Sequence, residues 1–264
     1  MSKYKKDPLG QRIKDFYESR TQTKLPRRAY TIMRLDGKAF HTYTKGLPRP
    51  FDLALTEDMD AAAQFLCENI QGAKFAYVQS DEISILITDF AQIATTSWFD
   101  GNVQKMTSIS ASMCTAKFNE VRRTRFVDQK DGFMRPPMLA MFDSRVFTIP
   151  ASIEVENYFI WRQQDATRNS ISSAAQSMFS PTELHKKSTN EMQEMMFSLR
   201  ETNWNDYDPK FKRGRMIVKE QYQIPTNNNE ESNFATRNRW VSVAPPILTE
   251  EREWLRERIP NITD

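Results

Sequence analysis

The feature that most constrains the fold is a pair of β-like segments separated by only three residues. Ala73–Gln79 and Ile83–Thr88 are rich in apolar residues, and only Ser80-Asp81-Glu82 lies between them. A connection this short joins antiparallel strands directly, so the two segments predict a β-hairpin. The resulting sheet needs other elements to cover at least one of its faces.

The segments on either side of the hairpin complete a βαββαβ order. Strand-like Ala29–Leu35 stops at the turn signal Asp36-Gly37, and a helical pattern follows over Leu53–Ile70. After the hairpin come a long helical pattern over Asn102–Thr124 and a strand over Leu139–Phe147. This order predicts an α+β fold of the ferredoxin-like type, an antiparallel sheet with its helices on one face.

The rest of the chain predicts a helical extension with a late β-hairpin. We expect residues 1–150 to form the core, with a basic N-terminal helix over Asp7–Gln22, and residues 151–264 to pack on that core. The extension is predicted to contain helices over Pro150–Phe179, Pro181–Lys187, Thr189–Arg200 and Thr249–Arg258, strands over Arg215–Ile224 and Arg237–Val243, and a polar loop over Asn227–Asn233.

Composition excludes several kinds of site. The two cysteines, Cys67 and Cys114, are far apart and the only histidines are His41 and His185, so we expect no disulfide framework and no zinc site. A metal would be held by carboxylates, as Mg²⁺ is. No segment approaches the roughly 20 apolar residues of a membrane span, and the N-terminus lacks an apolar signal segment. We therefore expect a cytoplasmic protein that binds no membrane.

Basic residues are clustered although the net charge is only +3. Residues 1–28 contain nine Lys or Arg against three acidic residues, and shorter basic runs occur at Arg122–Arg125 and Lys210–Arg215. Such clusters are typical of proteins that bind a polyanion, and they also occur as ordinary solvated surface.

Two aspartates are candidates for chemistry at one edge of the predicted sheet. Asp36 ends the first strand and Asp81 lies in the hairpin turn, and the first and third strands are neighbours in this fold. Two converging carboxylates hold Mg²⁺ when phosphates complete its coordination shell, or they hold a pair of metal ions. Gly37 lets its backbone approach a phosphate or a metal. The alternative is an ordinary turn with solvated acids.

Polar residues also share a face on two predicted helices. In the first of these helices, the shared face consists of Lys105, Ser108 and Ser112. These side chains either bind a triphosphate or form an ordinary solvent-exposed surface. In the second, Arg162, Asp165 and Asn169 form either an internal network or a site for a base and phosphates. The stripe of the first helix expected to be buried consists of Val103, Met106, Ile109, Met113, Ala116 and Val121.

Six collinear motifs resemble those of the tRNA-histidine guanylyltransferase family. Met33–His41 is similar to the family's RxDGxxFH, and Ala76–Ser84 is similar to its AYGxSDEYS hairpin. The shorter matches are Arg49–Asp52 to Lys-Pro-Asn-Asp, Phe142–Val146 to FDGRV, Trp161–Asp165 to WRQxD and Lys212–Gly214 to a late Lys-Gly segment. Together they cover roughly residues 7–220.

The resemblance implies a polymerase-like palm that adds nucleotides to the 5′ end of tRNA in the 3′–5′ direction, using ATP, GTP and two Mg²⁺ ions. It also suggests a homotetramer. It implies that Asp36, Asp81 and the Gly37 carbonyl bind metal, and that Glu82 is catalytic with the two aspartates. The expected nucleotide-binding residues are Asp36, Gly37, Lys38, Ala39, Phe40, His41, Thr44, Arg49, Asp52, Ser80 and Asp81, to which the helix face adds Lys105 and Ser108.

Contacts to RNA or to a second nucleotide are expected from a further set of residues. This set consists of Arg27, Arg122, Arg123, Arg145, Arg162, Asp165 and Asn169.

One segment departs from the family pattern. Where eukaryotic members carry His-Ile-Asn-Asn-Leu-Tyr-Asn, this chain has Thr167–Ser173, which is similar to the guanylyltransferase-like subgroup that repairs 5′-truncated tRNA by template-directed addition. The alternatives are a strict tRNA-histidine guanylyltransferase, a cyclase-like palm enzyme and a non-catalytic RNA-binding module. The last is disfavoured because Phe75 and Tyr77 are the only aromatic residues of the central strands.

Overall fold

The computed structural model describes residues 7–127, 138–225 and 234–262. In these ranges six strands form one antiparallel sheet with the strand order β4-β1-β3-β2-β5-β6. The first four strands have the predicted ferredoxin-like arrangement, in which β1 and β3 are neighbours. The strands are β1 (Tyr30–Gly37), β2 (Ala73–Gln79), β3 (Glu82–Ile87), β4 (Phe142–Ile149), β5 (Arg215–Pro225) and β6 (Phe234–Val243).

The helices of the described ranges include none that is both long and apolar enough to span a membrane. Short π- or 3₁₀-helical turns occupy Lys14–Glu18, Ser19–Thr21, Trp98–Gly101 and Trp204–Asp206. The α-helices are α1 (Pro8–Ile13), α2 (Phe40–Tyr43), α3 (Leu53–Asn69), α4 (Val103–Val127), α5 (Ser152–Gln176), α6 (Pro181–Leu184), α7 (Thr189–Arg200), α8 (Pro209–Lys212) and α9 (Arg252–Arg256).

The two long helices of the βαββαβ unit, α3 and α4, lie on one face of the sheet, as predicted. Met33 and Leu35 of β1 are buried there with Leu66 of α3 and Phe118 of α4. The alternate residues of each strand point to the opposite face because side chains alternate along a strand. On that face Ile32 packs in one cluster with residues of α5 and α9. The sheet is therefore covered on both faces.

The late hairpin extends the same sheet. Residues 215–218 of β5 pair with residues 75–78 of β2, and β6 then pairs along the whole of β5. The predicted division at residue 150 thus does not correspond to a break in the sheet. The predicted polar loop over residues 227–233 lies outside the described residues.

The buried stripe of α4 differs from the predicted one. Ile109 is 40% exposed, whereas Ser110 is fully buried and donates a hydrogen bond to Ser144 of β4 (2.8 Å). The buried positions continue four residues apart at Cys114 and Phe118, and the next position in this series is Arg122. The rotation of α4 about its axis is thus set by residues that hydropathy alone did not select.

Candidate active site

A row of polar residues crosses the sheet at the end of β1. Asp36 lies directly opposite Glu82 of β3 and opposite Asp143 of β4, and Glu82 in turn lies opposite Gln79 of β2. Directly opposed residues of antiparallel strands share a face, so all four side chains lie on the face that α5 covers. Arg145 lies near this row, with Nη2 3.8 Å from Asp36 Oδ2 and 3.3 Å from Asp143 Oδ1.

Asp81 joins this row from the turn between β2 and β3. The Gly37 amide donates to the Asp81 carbonyl (3.1 Å), which fixes the turn against the end of β1. Burial, together with the nearby charges of Asp36 and Glu82, raises the pKa of Asp81 to about 6. A partly buried carboxylate among other acids is an environment that a cation stabilises.

The donor set at this edge fits Mg²⁺. Asp36 and Asp81 supply hard oxygen ligands, and the Gly37 carbonyl is the third donor implied by the sequence. No group of three or more His, Cys, Asp or Glu with ligating geometry occurs in the described part of the chain. Phosphate oxygens of a substrate and water would therefore have to complete the shell, as Mg²⁺ commonly requires.

We predict that Asp81→Asn stabilises the metal-free protein at pH 7.5 by about 3 kcal/mol, the value of a pKa raised from 3.8 to about 6. The pKa of Asp81 is higher in the folded protein than in the unfolded chain. Protonation of Asp81 therefore stabilises the folded wild type fully below about pH 4, and this stabilisation is lost as the pH rises through 6. Denaturant unfolding in chelator should show the advantage of the variant disappearing towards pH 4. Equal stability of Asp81→Asn and wild type at pH 7.5 would contradict this prediction. The control is Asp143→Asn, which removes a carboxylate from the same row.

The segment after β1 combines a core residue with exposed ones. A side chain at Gly37 would collide with the Phe40 ring, and that ring is buried against Phe118 and Phe142. The prediction that Phe40 binds the nucleotide is therefore corrected: its side chain belongs to the core, where it fixes the loop. The side chains of Lys38, Ala39 and His41 are exposed.

A cleft of about 350 Å³ opens beside this edge, between the start of α3 and the second half of α5. Its volume is in the usual range for a small-molecule site. Ser80 lines it and precedes Asp81 in the chain, so cleft and carboxylates are adjacent. Six of the predicted residues line this cleft, namely His41, Thr44, Arg49, Asp52, Ser80 and Asn169.

Two of the residues lining the cleft also hold local structure. Asp52 caps α3 by accepting from the amide of Leu55 (2.6 Å), and Thr44 donates to the carbonyl of Phe40 (2.8 Å). Sequence reasoning missed an aromatic pair that also lines the cleft. The rings of Phe51 and Phe211 stack at 5.1 Å and 3°, although 160 positions separate them in the chain.

Several predicted residues lie away from the cleft. Lys105 and Ser108 are exposed on α4, which packs on the other face of the sheet, and neither lines the cleft. Arg27 precedes β1 and Asp36 is near its end, and the strand from Tyr30 to Asp36 alone spans roughly 20 Å. Arg27 instead lies near Asp89, with Nε 3.9 Å from Oδ2.

The expected RNA contact by Arg122 is wrong. Its side chain is only 5% exposed and donates to Asp58 (3.1 Å), whose side chain is fully buried; Arg125 donates to the same carboxylate. Arg123, between these two arginines, is exposed and stays a prediction for RNA binding.

We expect Arg122→Ala to destabilise the protein by about 3 kcal/mol, since it leaves a buried carboxylate with one partner fewer. The matched variant Arg123→Ala should change the free energy of unfolding by less than about 0.5 kcal/mol. Urea unfolding of both variants measures this difference. Equal stability of the two variants would contradict the assignment.

Arg162 is also buried, and its partners are protein carboxylates. It binds both oxygens of Glu82 and one oxygen of Asp165. The expected direct contact of Arg162 with RNA or a second nucleotide is therefore corrected to an internal network. The same bonds occupy both carboxylate oxygens of Glu82, which was predicted to be catalytic.

Arg34 is a site residue that sequence reasoning did not select. It lies two positions before Asp36 and therefore on the same face of β1, opposite Arg145. Its Nε is buried without a hydrogen-bond partner among the described residues. Because side chains two residues apart on a strand point to the same face, the spacing of Arg34 and Asp36 could have identified Arg34 as a site residue.

Comparison with known proteins identifies the family to which this chain belongs. The family model "Thg1: tRNAHis guanylyltransferase" matches residues 10–150, more than half of the chain. The chain belongs to the tRNA-His guanylyltransferase family. Members of this family are nucleotidyltransferases, and so is this enzyme.

Solved structures and curated sequences give the extent of the similarity. A bacterial tRNA(His) guanylyltransferase-like protein in complex with ATP is 42% identical, with a TM-score of 0.83 over 97% of this chain and 100% of that one. The tRNA(His) guanylyltransferase of Saccharomyces cerevisiae shares the fold, with 24% identity and a TM-score of 0.65 over 77% of this chain and 93% of that one. The human probable tRNA(His) guanylyltransferase is 25% identical over 80% of this chain and 74% of its own length.

Proposed function

We propose that this enzyme adds nucleotides to the 5′ end of tRNA in the 3′–5′ direction, with Mg²⁺, and that it repairs truncated 5′ ends under the direction of the opposite strand. The observation that carries the proposal is the convergence of Asp36 and Asp81 beside a cleft of nucleotide size. Similar bacterial proteins have been solved with ATP and with GTP, which supports these two nucleotides as substrates.

The proposed reaction has two transfers. First, a 5′-phosphate oxygen of the RNA attacks the α-phosphorus of ATP, and pyrophosphate leaves. The 3′-hydroxyl of the incoming nucleotide then attacks the activated 5′-phosphorus, its proton is lost, and AMP leaves. Mg²⁺ bound by Asp36 and Asp81 would supply charge stabilisation for both transfers.

The chain's own residues hold the reacting groups. Thr44 and Asp52 line the part of the cleft where the resemblance places the base, and Arg49 brings a cation to its rim. Arg34 and Arg145 lie beside Asp36 on the sheet face, where they are suited to phosphate groups.

A basic and aromatic arm supports RNA as the partner. β5 continues beyond its pairing with β2, so that Lys219 and the residues after it pair only with β6. On this two-stranded arm, Lys219 lies over the ring of Trp240 (5.9 Å) and Arg239 lies over Tyr222 (5.2 Å). Cations beside aromatic rings suit RNA, whose phosphates and bases they contact together.

Template-directed repair is favoured over strict action on histidine tRNA by the residues of α5. Asn169 and Ser173 line the cleft, and Ser170 is buried as the acceptor of a hydrogen bond from the indole of Trp204 (3.1 Å). Small side chains here leave the choice of nucleotide to base pairing. Because the chain belongs to a nucleotidyltransferase family, we prefer nucleotide transfer to the two alternatives of a cyclase-like enzyme and a non-catalytic RNA-binding module.

A homo-oligomer, with a tetramer as the form suggested by the family, is also proposed. The N-terminal helical segment exposes Leu9, Ile13, Phe16 and Tyr17, each at least 45% accessible, and a second copy would cover such a stripe. Light scattering on the purified protein tests it. We further propose a cytoplasmic location, where the buried thiols of Cys67 and Cys114 stay reduced.

Incubation with a tRNA that lacks its first nucleotide, ATP, labelled GTP and Mg²⁺ tests the proposed activity. We expect the RNA to lengthen by one labelled nucleotide when the opposing base is cytosine, and full-length tRNA to be a poor substrate. Failure to label any 5′-truncated tRNA would refute the proposal.

A further inference from the structure

Helix α5 is joined to the carboxylate edge through one buried arginine. Arg162 Nε donates to Oε1 of Glu82 (2.8 Å) and its Nη2 donates to Oε2 (2.7 Å), a bidentate arrangement. The side chains of Arg162 and Glu82 are only 6% and 12% exposed. An ion pair this well enclosed holds a defined geometry, unlike a surface pair.

This pairing engages both oxygens of Glu82 and orients its carboxylate towards Arg162. Ser84 donates to its Oε1 (3.2 Å) and shares a hydrogen bond with Tyr158 of α5 (2.8 Å). Glu82 nevertheless follows Asp81 directly in the chain and lies opposite Asp36 across the sheet. Without its arginine, Glu82 would be a third negative charge beside the two aspartates.

The same arginine reaches the wall of the cleft. Arg162 Nη2 also donates to Oδ2 of Asp165 (2.8 Å). Asp165 in turn accepts from Arg168 (2.9 Å) and from the cleft residue Asn169 (3.4 Å). One guanidinium therefore connects the strand that carries the carboxylate row to the helix that lines the cleft.

We propose that Arg162 is a positioning residue for nucleotide transfer. It neutralises Glu82 and turns that carboxylate away from the metal-binding edge, so that Asp36 and Asp81 are the only carboxylates that hold the ion. Through Asp165 it also fixes the cleft wall relative to those aspartates. This inference rests on the proposed function, but the coupling between Arg162 and Glu82 is measurable without it.

A double-mutant cycle tests the proposal with R162Q, E82Q and R162Q/E82Q. The cycle has three readouts, namely Mn²⁺ affinity measured by electron paramagnetic resonance, the midpoint of thermal unfolding, and the rate of nucleotide addition. R162Q should bind Mn²⁺ several-fold more tightly, because Glu82 is freed at the edge, and should add nucleotides at least tenfold more slowly. E82Q should lose only a few-fold in rate. R162Q/E82Q should return Mn²⁺ affinity to within about twofold of wild type and recover rate relative to R162Q.

Arg168→Gln is the matched control, because it removes a cation that contacts Asp165 but not Glu82. It should leave Mn²⁺ affinity and the rate near wild type. R162K keeps the charge without the bidentate geometry, so its Mn²⁺ affinity and rate of nucleotide addition should lie between those of wild type and R162Q. If R162Q does not fold, R162K takes its place in the double-mutant cycle.

Three results would overturn the proposal. A double mutant as slow as R162Q would mean that Arg162 contacts RNA or nucleotide itself. An E82Q variant that neither binds Mn²⁺ nor adds nucleotides would make Glu82 a metal ligand. Independent effects of the two substitutions on Mn²⁺ binding and thermal unfolding would deny the coupling. Mn²⁺ binding and thermal unfolding measure the coupling between Arg162 and Glu82 even if the wild type adds no nucleotide to RNA. That absence of activity would refute only the proposed function.

Discussion

Asp36→Ala and Asp81→Ala should each lower the rate of nucleotide addition by a factor on the order of 10³ or more, while the protein stays folded. Each removes one of the two carboxylates that converge at the end of β1, and the loss of a metal ligand costs several kcal/mol of transition-state stabilisation. Asp36 is 43% exposed, so its truncation leaves no cavity. The thermal midpoint should therefore be unchanged for Asp36→Ala, and unchanged or raised for Asp81→Ala.

The matched control is Asp143→Ala, which removes a carboxylate from the same row. Asp143 lies on β4, opposite Asp36, and forms an ion pair with Arg145. We expect a loss of less than about fivefold in a labelled-nucleotide assay. Near-normal activity of Asp36→Ala or Asp81→Ala would remove the metal assignment.

The second large effect concerns the choice of nucleotide. For a tRNA that lacks its first nucleotide, the base complementary to the opposing strand should be added at least about a hundredfold faster than any other, whatever the anticodon. A mispaired nucleotide displaces its 3′-hydroxyl from the activated phosphate, and a displacement of about an ångström costs on that order in rate. Changing the template base should change the nucleotide added.

The measurement is a set of four truncated tRNAs that differ only in the template base, each incubated with single nucleoside triphosphates. Addition of G regardless of the opposing base, and only to RNA with a histidine anticodon, would contradict template use. The protein would then be a tRNA-histidine guanylyltransferase in the strict sense.

Local sequence patterns were sufficient to predict the first four strands of the sheet and their order, but not the pairing of β5 with β2. The three-residue connection at Ser80–Glu82 permits only a hairpin, and the βαββαβ order then fixes which strands are neighbours. The convergence of Asp36 and Asp81 follows from that topology because one ends a strand and the other lies in the adjacent turn. Thr44 and Asp52 were predicted from the resemblance alone, since neither residue carries a chemical signal of its own.

Side-chain partners far apart in sequence could not be predicted. Arg162 and Glu82 are 80 positions apart, and nothing local distinguishes a buried guanidinium from one that binds phosphate. Arg122 was misassigned because the stripe of α4 was placed on Ile109, whereas the helix buries Ser110, Cys114 and Phe118. The i, i+4 series through Cys114 and Phe118 would have placed Arg122 inside.

The direction of addition is the central claim, and RNA with chemically defined ends tests it most directly. A 5′-truncated tRNA whose 3′ terminus has been oxidised with periodate should still be extended by one labelled nucleotide, because growth occurs at the 5′ end. The same RNA with a 5′-hydroxyl in place of the 5′-phosphate should accept no ATP-dependent addition. Extension only when the 3′-hydroxyl is free would show addition at the 3′ end and would contradict the account.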